Sequence, residues 1–206
     1  MNGISHETLD GAAPNREPSS LRGLFWAGML MLVGLAFLAW LGTPPPVRAV
    51  GESLPTVDLQ PLSLAGSAIG NSDLSGQVVV MHFWGTWCGY CIEEFPEFVD
   101  VYKHFQKTAD VSVLSVSCSA GPEMDLDSLR KQTQEFLTMR DPEMQVFCDS
   151  AGMTRQQLAM LFPGGTFAYP TTVVVDKKGK IAKVMLGALP GEMKSLIALI
   201  EQLRQA

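Results

Sequence analysis

The chain has 206 residues, 47% hydrophobic and 17% charged, with four cysteines and a formal net charge of −6. That much apolar content excludes disorder throughout, the acidic balance argues against nucleic acid as a partner, and four cysteines are too few for a disulfide-built miniprotein. Charge falls below the roughly 25% usual in soluble domains, which points to one membrane segment attached to an ordinary domain of roughly 150 residues.

Residues 1–23 are polar and read as a disordered cytoplasmic tail. Residues 24–41 (LFWAGMLMLVGLAFLAWL) carry no charge. As a helix they rise about 27 Å, close to the roughly 30 Å hydrocarbon thickness. Trp26 and Trp40 stand near the two ends, where indoles favour the membrane interface, and Arg16 and Arg22 precede the run. A transmembrane signal-anchor over 24–41 is expected, with the N-terminus in the cytoplasm. The alternative is a signal peptide cleaved near Val47-Arg48-Ala49. Either route leaves the following domain extracytoplasmic, in the periplasm or on the exterior of the cell envelope. Residues 42–53, with Thr43-Pro44-Pro45-Pro46, read as a stiff Pro-rich linker, and 54–206 as the folded domain.

Within that domain, 56–62 reads as a short strand or extended arm broken by Pro61, and Asp73-Leu74-Ser75-Gly76 as a turn. Residues 78–84 (VVVMHFW) are a nearly continuous apolar run, the pattern of a strand buried on both faces of a sheet. A helix over 90–106, a second buried strand over 111–117, a helix over 125–139 and a short strand over 145–148 follow. Thr154 and Gln157 make a capping-box pattern that opens a helix to Phe162. After the break at Pro163-Gly164-Gly165, strands over 171–176 and 180–186 are joined by Lys177-Lys178-Gly179 as a hairpin. An amphipathic helix over 191–205 closes the chain. This β-α-β-α-β-α-β-β-α order predicts an α/β sheet with a terminal hairpin.

The chemistry centres on Trp87-Cys88-Gly89-Tyr90-Cys91, between a buried strand and a helix. A cysteine at a helix N-terminus meets unsatisfied N–H groups and the positive end of the helix dipole, which favour thiolate over thiol. The i, i+3 spacing lets Cys91 resolve a mixed disulfide formed on Cys88 within one turn. C-x-x-C also opens zinc sites, but Cys118 and Cys148 stand singly and supply no second pair, so no metal is expected.

The stretch from Phe83 to Cys91 (FWGTWCGYC), followed by Glu94-Phe95-Pro96, resembles the active site of thioredoxin-fold proteins. It is most similar to the membrane-anchored TlpA/ResA class of thiol–disulfide oxidoreductases in the thioredoxin-like superfamily. Asp73-Leu74-Ser75-Gly76 and Tyr169-Pro170-Thr171-Thr172 extend the resemblance over about residues 50–206. It implies a thioredoxin fold, with a central mixed sheet and a C-terminal hairpin plus helix. It also implies a cis Pro170 facing the cysteine pair, where Trp87, Tyr90, Tyr169, Pro170 and Thr171 receive an extended substrate segment. Pro96 matches the kink of the family's active-site helix, and Glu94 the acid that tunes the cysteines' protonation.

His82 occupies the position where thioredoxins carry an acid and TlpA-like proteins often Asn. It is either a neutral core residue or a proton shuttle to Cys91. Gly89-Tyr90 lacks the proline usual before the second cysteine and is similar to the pair in DsbC-type isomerases, which leaves the direction of exchange open. In the family's architecture the strand ends bearing Cys118 and Cys148 lie side by side, implying a structural Cys118–Cys148 disulfide. The alternative is two buried free thiols.

The expected function is therefore an extracytoplasmic, membrane-tethered reductase of protein disulfides. Cys88 attacks, Cys91 resolves and Glu94 modulates proton transfer. The resemblance implies a role in cytochrome c maturation and electrons drawn from a DsbD/CcdA-type membrane carrier. A disulfide isomerase or oxidase for secreted proteins, and a copper-handling thiol module, are the alternatives. A peroxidase is excluded because its cysteine sits in a Thr-x-x-Cys loop. Protein substrates bearing disulfides or thiols are the expected partners, and no cofactor is expected beyond the redox-active Cys88–Cys91 disulfide.

Overall fold

The computed structural model describes residues 19–42, 49–63, 66–121, 125–188 and 191–206, without the side chains of 19–22 and 39–42. The chain divides into two compact units, 1–45 and 46–206. The first contains helix α1 (Ser19–Gly42), whose apolar residues, among them Leu24, Phe25, Trp26 and Leu30, are exposed. Among the described residues no helix is long and apolar enough to cross a membrane. The transmembrane span expected over 24–41 is thus found as a helix alone. Of the expected tail, 1–18 lies outside the described residues and the helix has already begun at Ser19; of the expected linker, 43–48 lies outside them.

The second unit runs through β1 (Asp58–Pro61), β2 (Ile69–Gly70), a 3₁₀ turn (Asn71–Leu74), β3 (Val78–Trp84), α2 (Gly89–Phe105), β4 (Val111–Ser117) and α3 (Leu126–Thr138). It continues with β5 (Val146–Cys148), α4 (Met153–Ala159), a second 3₁₀ turn (Pro163–Gly165), β6 (Thr171–Val175), β7 (Ile181–Leu186) and α5 (Glu192–Gln205). The strands form one sheet in the order β2-β1-β5-β4-β3-β6-β7. β3, β4 and β5 are mutually parallel, while β6 runs antiparallel to β3 and β7 antiparallel to β6. This is the expected mixed sheet with a terminal hairpin.

The apolar run of β3 follows from its place between β4 and β6, where all seven of its residues are buried. Strand alternation sends Val78, Val80 and Trp84 to the face covered by Phe95 and Phe98 of α2, Phe136 of α3 and Leu196 of α5. Val79, Met81 and Phe83 go to the other face, with Leu114, Leu158 and Phe162. The indole N–H of Trp84, which burial would otherwise orphan, donates to Ser115 Oγ at 2.8 Å.

Three local expectations change. Residues 49–53, expected as linker, dock on the sheet edge. Gly51 N–H donates to the Ile181 carbonyl (2.8 Å), Ile181 N–H to Glu52 (2.9 Å) and Leu54 N–H to Gly179 (2.8 Å), covering an otherwise open edge strand. The capping box at Thr154 does not form, because Gly152, at φ 68°, takes the N-cap position of α4 and leaves Thr154 inside the first turn. Thr154 Oγ1 and Gln157 Oε1 instead accept the N–H groups of Asp58 (3.0 Å) and Thr56 (3.1 Å). The N-terminal donors of α4 go to Asp149, whose carboxylate accepts from Thr154 N–H (3.3 Å) and Arg155 N–H (2.8 Å).

The third change concerns the second cysteine pair. Cys118 and Cys148 are both free and buried, so the expected disulfide between them is absent. The cause is strand parity. Ser115 pairs with Val146 and Val116 with Phe147, so Cys148 comes level with Ser117, one residue short of Cys118. Successive side chains alternate between faces. Cys118 therefore points into the layer of Val116 and Phe147, and Cys148 into that of Val146 and Trp84. When the oxidised protein is unfolded without reductant, alkylated and digested, label is expected on Cys118 and Cys148 alone. A disulfide-linked peptide joining those two would contradict the register.

Candidate active site

Buried β3 delivers the chain through a four-residue turn, in which Cys88 N–H donates to the Gly85 carbonyl at 3.1 Å, directly into α2. Cys88 is the N-cap of that helix. Its backbone is extended (φ −96°, ψ 109°), and its sulfur accepts the N–H of Cys91 at 3.2 Å, one of the four donors a helix N-terminus leaves unpaired. Cys88 and Cys91 form a disulfide with Cα atoms 5.2 Å apart. Cys88 keeps 7% exposure and Cys91 none, so of the two residues Cys88 alone reaches the surface. Beside it two aromatic rings stand in solvent, Trp87 at 45% and Tyr90 at 70% exposure.

Trp87 is held from two sides. Its indole N–H donates to the Cys118 carbonyl at 2.9 Å, and Cys118 N–H donates to the Trp84 carbonyl at 2.8 Å. Its ring lies against Gly85, where an added Cβ would fall 2.7 Å from Trp87 Cε2 and 2.9 Å from the Cys118 carbonyl oxygen.

The facing loop comes from β6. The Tyr169–Pro170 peptide is cis. Phe83 pairs with Thr171, which puts Pro170 level with Trp84, at the sheet end where Cys88 begins α2. The rings of Trp87 and Tyr169 meet edge to face at 5.2 Å between centroids. Cys88, Cys91, Trp87, Tyr169 and Pro170 are thus assembled at one end of the sheet, with Tyr90 in the first turn of α2. Thr171 is buried and its hydroxyl donates to the Ala168 carbonyl at 2.8 Å, so its side chain braces the loop rather than facing solvent.

The two proton-transfer candidates separate. Glu94 is buried on the inner face of α2, one turn after Cys91. Burial, with Glu97 and Glu192 nearby, raises its pKa from 4.5 to about 7. His82 is wholly buried and stacks on Phe98 with ring centroids 4.2 Å apart. Its Nδ1 lies 2.9 Å from Thr172 Oγ1, and its Nε2 has no partner among the described residues. Burial lowers its pKa to about 3. A proton carrier works best with a pKa near the working pH; Glu94 meets that condition, and His82 stays a neutral core residue.

Two residues at this end of the sheet escaped the sequence reading. Asp149, wholly buried, pairs with Arg155, whose Nη1 donates to the Tyr169 hydroxyl at 2.8 Å. The only signal for Asp149 was its place just before a helix start, and Arg155 gave none.

Among known proteins, the chain matches the AhpC/TSA family model over residues 50–184. The chain belongs to the AhpC/TSA family. It is similar to the thiol-disulfide oxidoreductase ResA of Bacillus subtilis, 30% identical over 128 residues, which cover 62% of this chain and 63% of that protein, just under two thirds of its length. It is also similar to the thiol:disulfide interchange protein DsbE of Xylella fastidiosa, 28% identical over 181 residues, 86% of this chain and 83% of that one. The solved structure of a thiol:disulfide interchange protein DsbE from Chlorobium tepidum superposes with a TM-score of 0.58 at 23% identity, covering 75% of this chain and 97% of that one. That likeness shows the thioredoxin fold. A thioredoxin-like family member carrying a Cys88–Cys91 disulfide, with relatives named thiol-disulfide oxidoreductases, is the class its motifs implied.

Two consequences are measurable. An acid whose native pKa exceeds its unfolded value binds its proton more tightly in the fold, so its contribution to stability falls as pH rises between the two values, here from about 4.5 to about 7. Relative to wild type, Glu94→Gln should therefore gain thermal stability between pH 5 and pH 8; melting curves that stay parallel across this window would refute the assignment. Gly85→Ala should lower unfolding free energy by about 1–3 kcal/mol, the cost of overpacking, as read from denaturant titration.

Proposed function

We propose that this member of the AhpC/TSA family is a reductase of protein disulfides. The observation that carries it is the asymmetry of the pair: a helix-capping cysteine that reaches the surface, backed by a wholly buried one. In the reduced protein, the Cys91 N–H that reaches Cys88 Sγ stabilises a thiolate there. That thiolate attacks one sulfur of a substrate disulfide and expels the other as a thiolate, leaving a mixed disulfide on Cys88. Glu94, whose pKa burial raises to about 7, takes the Cys91 proton. The Cys91 thiolate then attacks Cys88 Sγ and releases the second substrate thiol. Two electrons pass to the substrate, and the Cys88–Cys91 disulfide is the only redox group the exchange uses.

The exposed rings of Trp87 and Tyr90 and the loop ending in cis Pro170 are the surfaces that receive the substrate segment around its cysteine. Re-reduction requires a dithiol donor, for which a DsbD/CcdA-type membrane carrier fits the resemblance to the TlpA/ResA class. The same resemblance supports the disulfide between the haem-attachment cysteines of c-type cytochromes as the substrate. An extracytoplasmic site of action, with the chain held at the membrane, is supported by the uncharged run over 24–41 and the exposed apolar side chains of α1.

Gly89-Tyr90 between the cysteines supports a second reading, an isomerase, and the reduction potential separates the two. A value at or below about −230 mV supports the reductase, and one near or above about −180 mV the isomerase or an oxidase. Cys91→Ala should accumulate a mixed disulfide with insulin or with cell-envelope proteins, and Cys88→Ala should trap none. Equal trapping by both variants would remove Cys88 from its role as the attacking sulfur.

A further inference from the structure

Behind the cis-proline loop lies a charged cluster that disulfide exchange does not consume. Asp149, just after β5, accepts from Arg155 Nε at 3.2 Å in addition to the two backbone N–H groups of α4. Arg155 Nη2 donates to the Asp149 carbonyl at 3.3 Å and Nη1 to the Tyr169 hydroxyl at 2.8 Å. One planar guanidinium thus serves three acceptors at fixed angles, which a lysine could not do. Burial opposes the Arg155 charge, but the Asp149 carboxylate beside it and the Tyr169 hydroxyl that accepts from it hold it protonated.

A buried ion pair is a weak source of stability, since apolar residues of similar volume often do as well. What this pair supplies is position. Tyr169 is joined to Arg155 through its hydroxyl, while its ring meets Trp87 at 5.2 Å and Phe167 at 5.4 Å. Tyr169 also immediately precedes cis Pro170. Trp87 is itself pinned by its indole bond to the Cys118 carbonyl. The hydroxyl end of Tyr169 is therefore set by a buried carboxylate through Arg155, and its ring end sets the spacing between the loop carrying Cys88 and the loop carrying Pro170.

We propose that Arg155 is a positioning residue for peptide disulfides: by linking the Tyr169 hydroxyl to Asp149, it fixes Tyr169 between Trp87 and cis Pro170, where an extended peptide segment docks. This rests on the reading of that surface as the substrate site. A peptide disulfide must lay its backbone along the loop before its sulfur reaches Cys88. A small aromatic disulfide such as 5,5′-dithiobis(2-nitrobenzoate) needs only the sulfur.

The test compares second-order rate constants of the reduced full-length protein with a disulfide-bonded peptide and with 5,5′-dithiobis(2-nitrobenzoate). Wild type, Tyr169→Phe, Arg155→Lys and the double variant are measured. The peptide-to-small-disulfide ratio should fall about tenfold in each single variant, the scale of a hydrogen bond to a charged group. The double variant should fall no further, because both changes cut one link. An unchanged ratio in Tyr169→Phe, or effects that multiply in the double variant, would overturn the proposal. If Arg155→Lys does not fold, Tyr169→Phe decides alone, since it keeps the Asp149–Arg155 pair intact. A wild-type protein inert toward both disulfides would sink the reductase reading and this proposal with it, a result distinct from a reactive protein with an unchanged ratio.

Discussion

Cys88 closes the turn that leaves β3 and caps helix α2 with the same residue, and the rest of the site depends on that economy. A helix N-terminus presents unpaired N–H groups, and here one of them falls on a sulfur instead of an oxygen. For the sulfur to stand there, β3 must arrive rigidly, which its burial on both faces ensures. The turn must also be tight, which explains Gly85: the Trp87 ring and the Cys118 carbonyl occupy the space a side chain would need. The layers on either side of the sheet serve this one junction. Phe95 and Phe98 of α2 lock the helix that begins at Cys88, and Leu158 and Phe162 press on the opposite face.

Burial acts in opposite directions on the carboxylate of Glu94, on α2, and the imidazole of His82, on β3. Desolvation disfavours the charged form of either group. For an acid that starts at 4.5, this moves the pKa upward to about 7, into the range where a thiol's proton can be exchanged. For a histidine that starts at 6.5, the same force moves the pKa downward to about 3, out of that range. The proposed exchange therefore assigns the Cys91 proton to Glu94 rather than to His82. The stacked ring on Phe98 and the Thr172 contact are what an uncharged imidazole does in a core.

Legibility in the sequence followed the distance over which each feature is encoded. The core strands, the CxxC junction, the cis-proline loop and the terminal hairpin are written in contiguous runs, and the fold stands where those runs placed it. The features that changed depend on partners far along the chain. Thr154 and Gln157 have the spacing of a capping box, but their side-chain oxygens accept from residues 56 and 58. Cys118 and Cys148 end neighbouring strands, yet a one-residue offset in register sends them to opposite faces; no local pattern reveals that parity. Residues 49–53 look like spacer by composition and gain their structure from the edge of β7 and from the core that buries Ala49. The Asp149–Arg155–Tyr169 connection joins three elements through side chains whose types are ordinary at each place taken singly.

Cys118 is where these constraints meet, and its silence is part of the design. Its N–H bonds the last carbonyl of β3, and its own carbonyl holds the indole beside Cys88. Its thiol lies in the layer next to Tyr169 and Arg155. A further thiolate in the fold would be a second nucleophile for any disulfide that reached it, because exchange rates follow the thiolate fraction. Burial prevents this. It pushes the Cys118 thiol up to about 12 against the pull of the Arg155 charge and the Tyr169 hydroxyl, so at neutral pH it is a thiol and a weak nucleophile. The apolar packing that holds the loop thus also keeps Cys118 unreactive, in the layer of the core opposite that of Cys88 and Cys91.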